Sequence, residues 1–211
     1  MNFTAYESRT AASAAAAELI GKRLADALQE FDETALLVSG GSSPAECLAM
    51  LSAKPLDWSR VRVSLTDERC VPVTDEASNE KMVRRQLLRE NASKARFVAL
   101  SKRSVGELAP HIACALIGMG EDGHFASLFP DNPKLAQLLD PAAEPDCMQI
   151  TTAASEVNRI TANLSLLLAG SMVVLLIFGE KKKVLIEQPG DLPVASLLKQ
   201  QRVPVSICWA P

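Results

Sequence analysis

The chain has 211 residues, of which 48% are hydrophobic and 22% are charged, and its formal net charge at pH 7 is −3. This is ordinary globular composition with enough apolar residues for a continuous core, and we predict a single domain spanning residues 1–211. Nothing in the overall charge favours a nucleic-acid or anionic-membrane partner, so an anionic ligand would need a local cluster of basic residues.

The cysteines and histidines favour a cytoplasmic protein without a metal site. An odd number of cysteines with no CxxC pair is typical of a reducing compartment, and we expect all five thiols to be buried. Two histidines without clustered cysteines offer no ligand set for zinc. The cysteines are at positions 47, 70, 114, 147 and 208.

Strands and helices alternate along the chain. The first 28 residues form an amphipathic helix, not a signal peptide, because charged residues interrupt the apolar part. Residues 164–178 are the most apolar run, and they are too few to span a bilayer. Apolar strands are predicted at 34–40, 61–66, 96–100, 112–118, 148–151, 172–179 and 205–209, and helices near 43–51, 80–90, 163–169 and from 180. Apolar strands that alternate with helices predict an α/β fold, a Rossmann-like three-layer α/β/α arrangement with a mostly parallel sheet.

In such a sheet, ligands bind outside the carboxyl ends of the strands. Four predicted strands end in polar, charged or glycine-rich loops, so we expect these loops to converge on one site. The loops are 40–43, 67–69, 118–124 and 179–182.

The first loop joins a strand to a helix through Gly40, Gly41, Ser42 and Ser43. We predict Ser43 as the N-cap, with Pro44 in the first turn and Glu46 completing a capping box. Exposed amides and the helix dipole would favour a phosphate or carboxylate here. The alternative is an ordinary strand–helix turn.

The second loop carries Asp67 and Arg69, whose side chains face the same way if the extended backbone continues. An orienting acid and a cation would then face one cleft, although a solvated charged loop remains open. Cys70 is expected to be a packing residue, not a nucleophile, because no basic group is placed to lower its pKa.

The third loop, "GMGEDGHFASLFP" at 118–130, contains three glycines, among them Gly120 and Gly123, whose backbone amides can approach a ligand. Asp122 and His124 stand two residues apart, close enough for the acid to orient the imidazole. A neutral imidazole can accept a proton from water near pH 7. His124 is therefore the candidate general base.

Two further cations are candidates for an anionic ligand. Arg159 lies in "NRIT", which we place at a loop or strand boundary. Lys182 lies among three lysines that open a helix, where positive charge opposes the helix dipole. We assign the ligand contact to Lys182 and keep Lys181 as the alternative.

The third loop resembles the "GxGxDGHTASLFP" signature of 6-phosphogluconolactonases. The segments "GGSSP", "TDER…SN", "NRIT", "GEKK" and "LPVAS" follow that family's order across nearly the whole chain. The resemblance implies hydrolysis of 6-phospho-D-glucono-1,5-lactone to 6-phosphogluconate, in the oxidative pentose phosphate pathway, with no cofactor or metal. It further implies a small phosphorylated sugar lactone as the partner. Independently of the resemblance, we expect a monomer or weak homodimer.

Within that resemblance, His124 would be the acid–base catalyst, assisted by Asp122, Arg69 and Asp67. Amides of the glycine loop would stabilise the oxyanion together with Arg69. The phosphate would sit against the 41–43 turn with Arg159 and Lys182 nearby, and the division of roles between Arg69 and Arg159 stays open.

Two features depart from the family pattern. Phe125 stands where the family usually has threonine, and the segment 101–111 is short where family members generally carry a helix. Residues 101–111 can make hardly two helical turns, so we expect part of one sheet face to be uncovered.

Two other functions remain as alternatives. Glucosamine-6-phosphate deaminases share the glycine–Asp–Gly–His core, but a run resembling "FNEP" follows it and supplies a glutamate. The corresponding "SLFP" here has no acid. A sugar-phosphate sensor that binds without catalysis would not need the His124–Asp122 pair.

Overall fold

The computed structural model of the chain describes residues 1–152 and 155–211. Within these residues, ten strands form two sheets. The strands are β1 (Asn2–Ala5), β2 (Thr34–Val38), β3 (Val61–Leu65), β4 (Asp67–Arg69), β5 (Arg96–Phe97), β6 (Ile112–Ile117), β7 (Cys147–Thr152), β8 (Ser155–Ala162), β9 (Met172–Phe178) and β10 (Val205–Ala210). The helices are α1 (Arg9–Glu30), α2 (Ser43–Ser52), α3 (Asn79–Gln86), α4 (Lys102–Leu108), α5 (Leu135–Leu138), α6 (Leu164–Leu167), α7 (Glu180–Glu187) and α8 (Pro193–Lys199).

The main sheet has the strand order β1-β10-β9-β6-β2-β3-β5 in the described part of the chain, and every neighbouring pair is parallel. This confirms the α/β fold with a mostly parallel sheet. The smaller sheet, β4-β8-β7, is antiparallel and was not predicted. The assignment of 67–69 to a loop and of "NRIT" to a boundary is therefore wrong, because β4 pairs with β8 along both segments.

The central strands are buried on both faces, which explains their unbroken apolar runs. In β9, Val173 and Leu175 face one core and Val174 and Leu176 face the other, because successive side chains alternate across a sheet. Helices α1 and α2 pack on the Val174 side, and α4 and α8 pack on the Val173 side. The result is the three-layer arrangement.

The first helix is amphipathic, as predicted, but it begins at Arg9, because Asn2–Ala5 form strand β1, which pairs with β10. Ser8 caps it by accepting a hydrogen bond from the Ala11 N–H at 3.1 Å, and small and branched residues such as Ala16 and Ile20 are fully buried along one face. Among the helices of residues 1–152 and 155–211, none has both the length and the apolar character that crossing a membrane requires.

The expectation that 101–111 leaves a sheet face uncovered is wrong. Residues Lys102–Leu108 form α4, and Ser101 and Ser104 make a reciprocal capping box at its start. Val105 and Leu108 are 6% and 0% exposed and join the core on the Val173 side. Two helical turns suffice because the cap starts the helix at once and its two apolar residues both point at the sheet.

The predicted cap of α2 is also wrong. The helix begins at Ser43, with Ser42 in the N-cap position, and neither a side-chain cap nor a capping box forms. The Glu46 carboxylate instead accepts a hydrogen bond from Thr10 Oγ1 at 2.9 Å, which ties α2 to α1. In the described structure the N-terminus of α2 is therefore left without a side-chain acceptor.

Four of the five cysteines are buried as expected, and Cys70 is exposed, which corrects the prediction for that residue. Burial raises the pKa of Cys47, Cys114, Cys147 and Cys208, in Cys147 to about 11. Thiols of this kind stay protonated near neutral pH and behave as small apolar residues.

Candidate active site

A cleft of about 230 Å³ opens at the carboxyl ends of β2, β3 and β6, where the polar loops were expected to meet. Ten of the predicted site residues line it: Gly40, Gly41, Ser42, Ser43, Asp67, Arg69, Gly120, His124, Arg159 and Lys182. The other two, Asp122 and Gly123, are not among the lining residues. The remaining lining residues are Ser39, Pro44, Asn79, Gly118, Met119, Phe125 and Ala126.

The glycine loop is closed on itself and braced by α8. The Gly120 N–H donates to the His124 carbonyl at 2.8 Å, and a Cβ at Gly120 would lie 2.3 Å from the His124 ring. Gly123 has a φ of 76°, and its carbonyl accepts from the Val194 N–H at 3.0 Å. A Cβ there would meet Leu192, so the "LPVAS" segment packs against the face of the loop that lacks a side chain.

An acid–imidazole pair stands at the end of this loop. Asp122 Oδ1 lies 2.5 Å from His124 Nδ1 and 3.2 Å from the His124 N–H. Partial burial raises the pKa of Asp122, but the hydrogen bonds and charge of His124 outweigh it, so the pKa lies below its ordinary value. An ionised Asp122 holds a proton on Nδ1, which leaves Nε2 as an acceptor.

The loop's amides are only partly available to a ligand. Those of Gly120, Gly123 and His124 bond within the loop, whereas no hydrogen bond within the described residues uses the N–H groups of Phe125 or Ala126, which line the cleft. Ala126 has a φ of 49°, a left-handed conformation that is unfavourable for a residue with a Cβ. Phe125, in place of the family's threonine, is fully buried.

Asp67 is 5% exposed, and its carboxylate is already engaged by its neighbours. It accepts a 2.5 Å hydrogen bond from Ser127 Oγ and lies 3.7 Å from Arg159 Nη1. Arg159 Nη1 is also 3.5 Å from Ser127 Oγ. These contacts suggest that Asp67 holds the Arg159 side chain in place at the cleft.

Two arginines face each other across the small sheet, since Arg69 in β4 is the register partner of Arg159 in β8. Like charges directly opposite in an antiparallel pair are destabilising. Burial, followed by the charge of Arg69, lowers the pKa of Arg159. The strand pairing therefore brings two positive charges together at the cleft.

Asn79 is a site residue that the sequence reasoning missed. It is 2% exposed, and its Oδ1 accepts from Arg69 Nη1 at 2.5 Å while its Nδ2 donates to the Asp67 carbonyl at 2.7 Å. The Glu68 carboxylate accepts from the backbone N–H groups of Asn79 and Glu80 and so fixes the start of α3. The "SN" of the family pattern was the available signal.

The turn before α2 depends on two glycines. Gly41 has a φ of 92° with open space where a Cβ would stand, and a Cβ at Gly40 would fall within 1.8 Å of Asn79 Oδ1. No side chain in the described structure caps the first turn of α2. Its free N–H groups and the helix dipole therefore face the cleft.

The three lysines of α7 have separate positions. Lys181 Nζ lies 3.3 Å from Glu121, Lys183 Nζ lies 4.7 Å from the Trp209 ring centroid, and Lys182 lines the cleft. Burial is the main cause that lowers the pKa of Lys182; Arg9 also lowers it, and Glu121 opposes the shift. Among residues 1–152 and 155–211, no group of three or more His, Cys, Asp or Glu is arranged to hold a metal ion.

The sequence profile described as "Glucosamine-6-phosphate isomerases/6-phosphogluconolactonase" matches residues 7–207. A 6-phosphogluconolactonase of Pseudomonas aeruginosa is 40% identical over 93% of this chain and 89% of its own length. That of Caulobacter vibrioides is 37% identical over 98% and 96%. The crystal structure of a 6-phosphogluconolactonase from Shewanella baltica superposes with a TM-score of 0.89 at 30% identity, covering 100% of this chain and 98% of that one.

Proposed function

The chain belongs to the glucosamine-6-phosphate isomerase/6-phosphogluconolactonase family, and from this premise we propose that it hydrolyses 6-phospho-D-glucono-1,5-lactone to 6-phospho-D-gluconate. This is the second step of the oxidative pentose phosphate pathway. One observation carries the proposal: a single cleft holds an imidazole paired with a carboxylate, three cations and an uncapped helix N-terminus. The first group suits water activation, and the others suit a phosphate.

His124 acts as the general base. Asp122 keeps Nδ1 protonated, so Nε2 takes a proton from water as the water oxygen attacks the lactone carbonyl carbon. Because the pKa of Asp122 lies below its ordinary value, this carboxylate is ionised throughout the neutral range. It stabilises the imidazolium that forms and fixes the orientation of the ring.

The attack places negative charge on the former carbonyl oxygen. The N–H groups of Phe125 and Ala126 and the Arg69 guanidinium are the donors best placed for this oxyanion. When the tetrahedral intermediate collapses, the bond to the ring oxygen breaks and His124 returns its proton to that oxygen. A single oxyanion donor contributes about 3–4 kcal/mol to transition-state stabilisation in other enzymes.

The phosphate lies against residues 41–43, with Arg159 and Lys182 as its cationic contacts. A phosphate in this position would lessen the repulsion between Arg69 and Arg159. It would also place negative charge beside Lys182, whose charged form burial disfavours. Because the base and nucleophilic water need no Lewis acid, the proposed reaction uses no metal ion or cofactor. We propose that the protein works in the cytoplasm on this small phosphorylated lactone, as a monomer or weak homodimer, without a nucleic-acid or membrane partner.

The alternatives make different demands on the same cleft. A deaminase needs an acid after the histidine, whereas Ser127 and Phe129 occupy that run and contact Asp67 and His124 respectively. A sensor needs the phosphate contacts alone and gives no reason for an imidazole held at 2.5 Å from a carboxylate.

The test follows ring opening of freshly generated 6-phosphogluconolactone by NMR, with and without the protein. Catalysis requires an acceleration that saturates with substrate. A protein that binds 6-phosphogluconate, seen as a thermal shift, without accelerating ring opening would be a sensor, and the proposal would be wrong.

His124→Ala should lower kcat at least about a hundredfold, because it removes the general base. The matched control is His111→Ala, which removes the chain's other histidine at the opposite end of β6 and should leave kcat unchanged. The rate is measured after subtraction of spontaneous ring opening, with circular dichroism to verify the fold. An undiminished kcat in His124→Ala would exclude His124 as the base.

A further inference from the structure

One aromatic ring contacts both the proposed base and a proposed phosphate cation. The Phe129 ring centroid lies 4.3 Å from that of His124, with the planes inclined at 35°. Arg159 Cζ lies 5.3 Å from the same Phe129 centroid. Phe129 is 6% exposed and stands behind the cleft, so it meets the substrate only through these two neighbours.

The polar contact of the His124 ring leaves part of its orientation undetermined. Asp122 holds His124 at one ring atom, Nδ1, which does not fix the tilt of the imidazole plane. On the other side of the Phe129 ring, Arg159 Nη1 lies 3.7 Å from the Asp67 carboxylate and 3.5 Å from Ser127 Oγ. A ring packed against both the imidazole and the guanidinium restrains the two groups in addition to these polar contacts.

The two neighbours also belong to different parts of the fold. His124 and Phe129 lie on the segment that follows β6, and a turn closed by the Leu128 N–H and the Phe125 carbonyl brings them together. Arg159 lies in β8 of the small sheet. The ring therefore joins the loop that carries the base to the sheet that carries the phosphate cation.

We propose that Phe129 is a positioning residue that sets the spacing between the base and the phosphate cation and thereby selects lactones phosphorylated at the far end of the sugar. The inference rests on the proposed function, since it assigns Arg159 to the phosphate and His124 to water. A fixed spacing admits a substrate whose phosphate and carbonyl carbon are separated by the matching distance. An unphosphorylated lactone gains nothing from this spacing, although its hydrolysis still depends on the orientation of His124.

The first test needs no turnover. The chain has two histidines, so His124 and His111 give two resolvable sets of imidazole proton resonances, and His111 serves as the internal reference. The Phe129 ring current should shift the His124 protons upfield in the wild-type protein, and Phe129→Leu should abolish that shift while His111 stays unchanged. An unshifted His124 in the wild type would overturn the proposal, and this holds even for a protein that proves to be inactive.

The second test is kinetic and uses phosphorylated and unphosphorylated gluconolactone. Phe129→Leu should lower kcat about tenfold or more for both lactones, since small misplacements of a catalytic group are costly. It should raise KM about two- to fivefold for the phosphorylated lactone alone, as expected for loss of a cation–π contact. Phe129→Tyr keeps the ring and should restore both constants to within about twofold of the wild type.

The matched control is Phe97→Leu. Phe97 also packs against an arginine, with Arg84 Cζ 4.9 Å from its ring centroid, but it lies in the edge strand β5. This variant should leave both constants unchanged. Equal loss of kcat/KM for the two lactones in Phe129→Leu, or failure of the tyrosine to restore them, would show a general packing role and overturn the proposal. If the Phe129→Leu protein does not fold, the His124 proton shifts of the wild type and the kinetic constants of Phe129→Tyr test the proposal.

Discussion

At the scale of single residues, the site depends on its glycines as much as on its functional side chains. Gly120 leaves room for the His124 ring, Gly40 for the Asn79 amide, and Gly123 for Leu192. Each glycine removes a Cβ that would fall within 3 Å of a neighbouring side-chain atom. The loops can therefore approach one another closely enough to place the His124–Asp122 pair beside the cations.

Gly120→Ala should inactivate the enzyme without unfolding it. The new Cβ would lie 2.3 Å from the His124 ring and 2.6 Å from Asp122 Oδ1, so the pair must move, whereas the backbone φ at this position needs no glycine. A displacement of about 1 Å costs roughly a hundredfold in rate. The measurement is kcat on 6-phosphogluconolactone, with Gly106→Ala as the control because open space surrounds its Cβ on α4. A wild-type kcat in Gly120→Ala would contradict the geometry of the loop.

Lys182→Ala should raise KM for the phosphorylated lactone about tenfold, the loss expected for one charge-assisted hydrogen bond. Turnover of unphosphorylated gluconolactone should hardly change, because that substrate has no phosphate for Lys182 to meet. Lys181→Ala is the matched control, since Lys181 is exposed and faces Glu121. If both substrates suffer equally in Lys182→Ala, the residue has a role other than phosphate binding.

At the scale of elements, the sequence predicted those parts whose structure depends on local pattern. Strands buried on both faces, such as Ile112–Ile117 and Met172–Phe178, are continuous apolar runs, and the loops with glycine and charge follow them directly. The small sheet was missed because β4 is three polar residues long and forms only by pairing with β8, about ninety positions away. Asn79 was missed for the same reason: its two partners, Arg69 and Asp67, lie on that strand.

The ability of helix α4 to cover the sheet was underestimated from the sequence. Helix propensity is a weak guide to a helix of seven residues, and this one contains Gly106. Packing of Val105 and Leu108 against the sheet outweighs that cost. The prediction of the α2 cap was wrong for a different reason. The pattern of Ser43, Pro44 and Glu46 fitted a capping box, but the Glu46 carboxylate accepts a hydrogen bond from Thr10 of α1 instead.

Gly106→Ala should therefore stabilise the protein by about 0.5–1 kcal/mol, because glycine inside a helix costs that much relative to alanine. Open space surrounds the new Cβ. The contrasting variant is Gly190→Ala, whose Cβ also meets nothing within 4 Å but whose φ of 52° is left-handed, so it should destabilise by about 1 kcal/mol. Urea unfolding measures both changes. A destabilised Gly106→Ala protein would mean that α4 is not a regular helix.

At the scale of the whole molecule, charge is distributed unevenly. The chain has a net charge of −3, yet Arg69, Arg159 and Lys182 line one cleft. The pKa values of Arg159 and Lys182 are lowered, in both cases mainly by burial, so the fold disfavours their charged forms. A bound phosphate dianion would favour those charged forms, and a ligand that binds only the folded state raises Tm.

This linkage predicts how pH affects stabilisation by 6-phosphogluconate. Because the folded-state pKa of Lys182 is lowered, its unfavourable contribution is present at neutral pH, where the group is charged in both states, and it is relieved as pH rises through that pKa. The bound phosphate favours the ammonium form. The rise in Tm caused by the ligand should therefore be full at neutral pH and should shrink as Lys182 loses its proton, starting at lower pH than for an ordinary lysine.

Thermal unfolding with and without 6-phosphogluconate, from about pH 7 to about pH 10, measures this dependence. Comparison of the two curves at each pH removes the effects of other titrating groups on the fold. Lys182→Arg keeps its charge over the whole range, so its ligand-induced rise in Tm should persist where that of the wild type declines. The same decline in both proteins would show that a group other than Lys182 controls phosphate binding. A rise that grows with pH would contradict the assignment of cations to the phosphate, since deprotonation of any one of them can only weaken its hold on a dianion.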